Sequence, residues 1–423
     1  MLSSTVPHDP ATQLAGSRVA IIGYVWPEPN SSAAGQNMMA LITDFIKSGA
    51  DVTFMTAAGD SIHKVDLASL GVHVEAVSLN CSSFDQQIHA LMPDIVIFDR
   101  YMTEEQFSWR VKTQCPNALR VLNTEDLHSL RQARHDAVKA TGDAQHAEKM
   151  SLLAQREIAA ILRSDITLII SRAEYTILTD FYHVPSQQLF YFPLRAGTPL
   201  THTPAFTQRR GIVTIGNFRH APNWDAVLQL KQTIWPAIRK VLPDTSLHIY
   251  GAYPPKKATQ LHNPKQGFYV EGWADNAYDV IKHAKLLIAP LRFGAGIKGK
   301  LLDAMRCHTP TLTSWIGAEG ILSEGESHEQ WGGAICASPD EYATEASRLC
   351  TDETQWKTAS DKSAEVLLAF KKSAREPTLN THLSMLLGNV ATYRQSLFLQ
   401  AMLWHHTLSA TKYMSQWIEE KNK

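Results

Sequence analysis

Residues 287–321, LIAPLRFGAGIKGKLLDAMRCHTPTLTSWIGAEGI, hold the densest chemistry in the chain. An apolar strand ends at Pro290 and a glycine loop follows, Phe293-Gly294-Ala295-Gly296. Helical spacing then puts Ile297, Leu301, Leu302 and Met305 on one side. A helix N-terminus has unsatisfied N–H groups and the positive end of the helix dipole. A glycine loop leading into it lets an anion approach the backbone. Lys298 and Lys300 add two cations to this first turn, the wrong end of a helix for cations unless an anion sits there. The plainer alternative is a strand-to-helix turn with two solvated lysines, but glycines and two cations together at this helix end favour an anion. The predicted ligand is phosphate.

A second polar cluster, Thr124-Glu125-Asp126-Leu127-His128-Ser129, follows the apolar run ALRVLN. A carboxylate and a histidine at a strand's carboxyl end can do proton chemistry. The local alternative is that Thr124 or Asp126 caps the next helix, with His128 in its first turn. A third candidate is the loop 26–35, which would form a ligand wall around Gly35, although Gly35 could equally belong to a helix start built of small residues.

The elements that must position these groups alternate strand and helix. RVAIIG, DVTFMT, DIVIFD, ALRVLN and DITLIIS read as buried parallel strands. Helical segments are predicted over 33–48, 84–91, 104–114, 133–161 and 172–181, with weaker strands at 72–77 and 188–193. Residues 196–210, rich in Pro and Thr, read as a linker. The same grammar then restarts with GIVTI at 211–215, a helix over 224–241 with internal Pro236, and strands SLHIY and GFYVE. The expected fold class is α/β: two Rossmann-like doubly wound domains, 18–195 and 211–375, facing across a cleft. Residues 1–17 read as a disordered leader. Residues 376–423 read as C-terminal helices packing across both domains.

Composition narrows the class. With 44% hydrophobic and 19% charged residues over 423 positions, the chain suits two or three globular domains. A net charge of −1 gives no global argument for a nucleic-acid partner. Five scattered cysteines without a CxxC suggest a reducing compartment and no zinc site. With no transmembrane-length apolar run and no secretory signal, the expectation is a cytoplasmic protein.

GNFRHAPN, VEGW, PLRFGAGIKGKLLDAM and TPTLTSWIGAEGI occur in an order and spacing that resemble the donor half of retaining, nucleotide-sugar-dependent glycosyltransferases of the GT-B fold (group 1, or family 4). AAGQNMMALITDFIKSGADVTFMT and VLNTEDLHSLR resemble that family's acceptor half. The resemblance implies a nucleotide-sugar donor, a glycan, lipid-linked or other hydroxyl acceptor, and work at the inner membrane face if the acceptor is a lipid. It implies no cofactor and no metal, in keeping with the lack of any Asp-x-Asp pair. Gly294, Gly296 and the amides of Ile297 and Lys298 would hold the diphosphate. Arg219 and Lys300 would neutralise the departing phosphate. Asp303 stands where the family has its ribose-binding second glutamate, and Ala295 stands where the first would be. Glu271 and Trp273 would line the base; His128, Gly35 and Asn223 would face the sugar or acceptor.

Plainer readings exist for several of these residues. Asp303 could be a solvated helix charge, Arg219 a surface ion pair, Asn223 a cap, Glu319 a turn residue and His220 structural. A degenerate domain that binds a glycan or partner would share the pattern. A nucleotide-sugar epimerase would share the fold, but needs a carboxylate-rich set in the cleft that the sequence does not reveal.

Overall fold

The computed structural model describes residues 13–322, 327–373, 378–406 and 408–422. The leader expected over 1–17 therefore lies mostly outside the described residues. Within the described part of it, Leu14 is buried in the first domain.

Seven strands form the first sheet: β1 (Arg18–Gly23), β2 (Asp51–Thr56), β3 (His73–Ala76), β4 (Ile95–Asp99), β5 (Leu119–Asn123), β6 (Ile166–Ile169) and β7 (Leu189–Tyr191). Their order is β3-β2-β1-β4-β5-β6-β7, and every pair is parallel. Six more strands form the second: β8 (Ile212–Ile215), β9 (Leu247–Tyr250), β10 (Phe268–Gly272), β11 (Leu286–Ala289), β12 (Thr311–Thr313) and β13 (Gly333–Ile335). They run β10-β9-β8-β11-β12-β13, also all parallel. Helices cover both sheets, so central strands are buried on both faces: β4 and β11 are buried at every position. The expected two-domain α/β architecture is what the chain adopts.

Strand order reverses between β1 and β4 in one sheet and between β8 and β11 in the other. Ligands of open parallel sheets bind outside the carboxyl ends at such reversals. The loops after β1, β4, β8 and β11 accordingly meet across one cleft.

Several local expectations are corrected. The helix predicted over 133–161 is two helices, His128–Thr141 and Leu152–Arg163. Gly142, at φ +81°, ends the first, and the Ser151 hydroxyl caps the second by accepting from the Ala154 N–H. The helix predicted over 224–241 starts earlier, at Ala221, and widens into a π turn over Leu230–Ile234 just before Pro236. Proline has no N–H to continue an α ladder, and the π turn absorbs that break. In the predicted linker, Arg209 is fully buried and donates to the carbonyls of Pro204, Ala284 and Cys307 and to the Thr309 hydroxyl. The end of the linker is thus part of the second domain.

The C-terminal helices are expected to lie across both domains; among the described residues their hydrogen bonds and core contacts run to the first. Leu379 and Leu383 enter its core. Arg394 forks onto buried Asp165 at 2.8 and 2.6 Å, and Gln400 and Trp404 donate to the Arg163 carbonyl. A buried carboxylate needs partners, and the tail supplies them.

Candidate active site

The cleft has a volume of about 580 Å³ and is lined by residues of both domains. On the second-domain side lie Gly216 to Asn223 after β8 and Leu291 to Asp303 after β11. On the first-domain side lie Tyr24 to Gln36 after β1, Arg100 after β4, and Glu125, Asp126, His128 and Arg131 after β5.

The glycine loop is held in a defined shape. Gly294 has φ +155° and Gly296 φ +63°. A Cβ on Gly296 would stand 2.8 Å from Asp126 Cβ and 3.2 Å from Ile170 Cδ1, so glycine permits the close approach of the two domains here. The Gly296 N–H donates to Glu174 Oε1 at 2.8 Å. That amide is therefore committed within the protein, a change from the expected role in a ligand cradle. Lys298 is also turned inward: it is buried, and its Nζ donates to the Gly296 carbonyl at 2.7 Å. The helix begins at Gly299. Among the described residues the N–H groups of Ile297 to Lys300 have no protein acceptor, and they form the unpartnered positive end of the helix dipole at the cleft.

Lys300 is the cation presented to this space. Its Nζ donates to Asn223 Oδ1 at 2.7 Å, and Asn223 Nδ2 donates to the Asn217 carbonyl at 3.0 Å. Burial pulls the ammonium pKa down to about 8. Arg219 stands at the cleft rim with its guanidinium carbon 3.6 Å from the Tyr253 ring centroid, a cation–π contact. Asp303 lines the cleft beside Tyr278, which hydrogen-bonds to it; burial raises its carboxyl to about 6.

Opposite stands His128, first residue of its helix. Burial lowers the imidazole to about 4, so it is neutral at pH 7. Its Nδ1 lies 3.1 Å from the Asp126 carbonyl oxygen and 3.4 Å from the Asp126 carboxylate. Two oxygens at Nδ1 place the ring proton there and leave Nε2 as the acceptor. Neither Thr124 nor Asp126 caps this helix. Glu157 does, from the helix Leu152–Arg163, accepting from the N–H groups of His128 and Ser129 at 2.9 and 2.8 Å. Burial would raise Asp126, but Arg131 and His128 beside it hold it below the usual carboxylate range.

Residues 209–352 match the family model described as Glycosyl transferases group 1. That segment, most of the second domain, is similar to a group 1 glycosyltransferase domain. The full architecture is GT-B. A structure of a Staphylococcus aureus TarM point mutant aligns with a TM-score of 0.52 at 14% identity, over 74% of this chain and 58% of that one. Anabaena Alr3699/HepE, in complex with UDP and glucose, aligns at 0.59 and 11%, over 88% and 99%. WaaG, a glycosyltransferase involved in lipopolysaccharide biosynthesis, aligns at 0.56 and 12%, over 88% and 99%. At these identities the likeness is one of fold. No curated protein sequence matches the chain.

The structure brings Gly294, Gly296, Ile297, Lys298, Lys300, Asp303, Arg219, Asn223 and His128 to one cleft. It places three other predicted site residues elsewhere. Glu271 pairs with His248, 2.7 Å from Nδ1. Trp273 stacks face to face on His63 of the first domain, ring centroids 3.9 Å apart. Gly35 packs under the loop after β1: a Cβ there would stand 2.3 Å from the Glu28 carbonyl oxygen. Its N–H is taken by the Ser32 cap. It shapes the cleft wall without lining it.

The cleft is also richer in carboxylates than the sequence suggested. Glu28, Glu125, Asp126 and Asp303 line it, with Asp99, Glu157 and Glu174 buried behind. Burial, with Asp99 alongside, raises Glu125 to about 8, and the Asn123 and Asn37 amides donate to its two oxygens at 2.8 and 3.2 Å. Among the described residues, no group of three or more His, Cys, Asp or Glu is arranged to hold a metal ion. No helix among them is long and apolar enough to cross a membrane.

Proposed function

We propose that the enzyme moves a sugar from a nucleotide-sugar donor to a hydroxyl of a glycan or lipid-linked acceptor, with retention of anomeric configuration and without a metal cofactor. The observation that carries this reading is the unpartnered helix N-terminus after the glycine loop, with the Lys300 ammonium aimed beside it by Asn223. It lies within the matched domain, at a strand-order reversal. In such a reaction the bond from the anomeric carbon to the diphosphate breaks, and its electron pair leaves on the phosphate. Fixed cations at that oxygen stabilise the transition state more than the ground state. Lys300 and Arg219 are the cations for that task, and Asp303 is the carboxylate for the ribose hydroxyls. An acceptor oxygen takes the vacated place on the anomeric carbon and sheds its proton. Neutral His128 Nε2 is the candidate base facing it.

The solved GT-B structures support the donor class: HepE is complexed with UDP and glucose, and the TarM mutant with UDP and α-GlcNAc-glycerol. A lipid-linked acceptor would put the enzyme at the cytoplasmic membrane face.

A thermal-shift screen against nucleoside diphosphates and nucleotide sugars, with and without magnesium, tests the reading. A ligand at 100 times its Kd stabilises by about 2.7 kcal/mol. A metal-independent shift with one nucleotide, followed by donor turnover, is the expected outcome. Glycan binding with no nucleotide shift and no turnover would replace this reading with a degenerate, binding-only domain.

A further inference from the structure

The glycine loop belongs to the second domain, yet the side chains that fix its shape come mainly from the first. Arg134, in the helix His128–Thr141, donates from Nη1 to the Gly294 carbonyl at 2.8 Å. The same guanidinium forks onto Glu319 at 2.7 and 2.6 Å. Glu174, at the start of the helix Arg172–Thr176, accepts from the Gly296 N–H at 2.8 Å and from the Leu127 N–H at 2.9 Å. Arg134 is 6% and Glu174 0% exposed, so neither interaction is a screened surface contact. One side chain therefore grips the loop's carbonyl at Gly294, and the other its amide two residues on.

We propose that Arg134 and Glu174 are positioning residues that give the anion-binding loop its working shape only when the two domains close, with Glu319 as the receiving partner on the second domain. This rests on the donor reading above. Glu174 also holds the Leu127 amide, next to His128. One carboxylate thus sets the register between the candidate base and the phosphate loop. A donor bound to the open enzyme meets a loop whose Gly294 and Gly296 are ungripped. Closure over an acceptor completes the site, and this limits loss of the donor to water.

Hydrogen exchange of the peptide spanning 291–301 tests this in the full chain. Wild type is compared with Arg134→Ala, Glu174→Ala, Glu174→Gln and a control, Arg156→Ala, which breaks an exposed pair with Glu105. Arg134→Ala and Glu174→Ala should each speed exchange in that peptide by about tenfold or more. Glu174→Gln keeps an acceptor oxygen for both amides and should stay near wild type, as should the control. Turnover should follow the same order, with Gln rescuing what Ala loses. Unchanged exchange in both alanine variants would overturn the proposal, because the loop would then hold its own shape. If Arg134→Ala does not fold, the Glu174 pair decides alone. Nucleoside diphosphate titration of the wild type is a separate arm. A missing shift there would sink the donor reading, while the exchange result would still decide whether the first domain shapes the loop.

Discussion

Lys300 Nζ lies 2.7 Å from Asn223 Oδ1, and this single bond ties together the first turns of the two second-domain helices that follow β8 and β11 at the strand-order reversal. Asn223 is itself held, since its Nδ2 donates to the Asn217 carbonyl at 3.0 Å. A long, flexible ammonium is thereby aimed before any substrate arrives, and such preorganisation is what makes a cation effective at a leaving phosphate.

Replacing Lys300 with Ala should cost about 2.7–4 kcal/mol of transition-state stabilisation, the scale seen when one oxyanion-stabilising donor is removed. Asn223→Ala leaves the charge but frees its direction, and should cost about 1 kcal/mol. Steady-state kinetics with the donor identified by thermal shift would check both. A Lys300→Ala enzyme with an unchanged rate would remove Lys300 from the site.

Burial pulls the Lys300 ammonium to about 8, so its charge is present below that pH and lost above it. Donor kcat/KM should therefore fall on an alkaline limb near pH 8 in the free enzyme. Bound diphosphate favours the charged form, so the same limb in kcat should lie higher. Lys300→Arg, which cannot deprotonate in this range, should abolish the limb even if it lowers the plateau.

Gly296 has φ +63° and stands against Asp126 and Ile170 of the other domain. In Gly296→Ala the left-handed conformation should cost about 1–2 kcal/mol. The added Cβ, 2.8 Å from Asp126 Cβ, should also wedge the cleft open. The expected result is a modest loss in melting temperature with a large loss of turnover. Small-angle scattering should show a larger radius of gyration than wild type.

Legibility in the sequence followed the range of the interactions. Strands β1 and β2 stood out at their full lengths because each is a short apolar and β-branched segment, buried at every position after its charged first residue. The glycine loop stood out because its glycines, its lysines and its helix are neighbours in the chain. Residues whose roles depend on distant partners did not. Arg134 is 160 residues from Gly294 and 185 from Glu319, and Glu174 is 122 from Gly296. Glu174 could be seen at a helix start, but nothing local says that it reaches the other domain. Glu157, inside the segment predicted as helix over 133–161, caps the His128 turn 29 residues away, and nothing local to it says so. The inward turn of Lys298 is equally invisible, since Lys298 and Lys300 read alike in the sequence. The helices Pro339–Thr351 and Glu353–Lys372 carry a signal that is local in the chain: Ser338 before Pro339, and Asp352, both accept N-cap hydrogen bonds.

Glu174 also predicts how stability depends on pH. Burial raises its folded carboxyl to about 8 from an ordinary value of 4.5. Between those values the folded protein holds a proton that the unfolded chain has released. Stability is therefore greater at the acid end of that window and falls as pH rises toward 8. One such proton sets a slope of at most about 1.4 kcal/mol per pH unit. Glu125, also raised to about 8, and Glu157, raised to about 7, add in the same direction. Buried Lys300 works the other way, but only above about 8, where the unfolded chain holds the extra proton. From pH 7 to 8 His128 contributes little, because it is already neutral when folded and an unfolded histidine is mostly so. The wild-type melting temperature should thus fall across this interval. Glu174→Gln, which cannot ionise and still accepts from Leu127 and Gly296, should melt with a shallower pH dependence. Differential scanning calorimetry at pH 7 and 8 on both proteins decides it, and equal slopes would mean that Glu174 does not hold its proton in the closed fold.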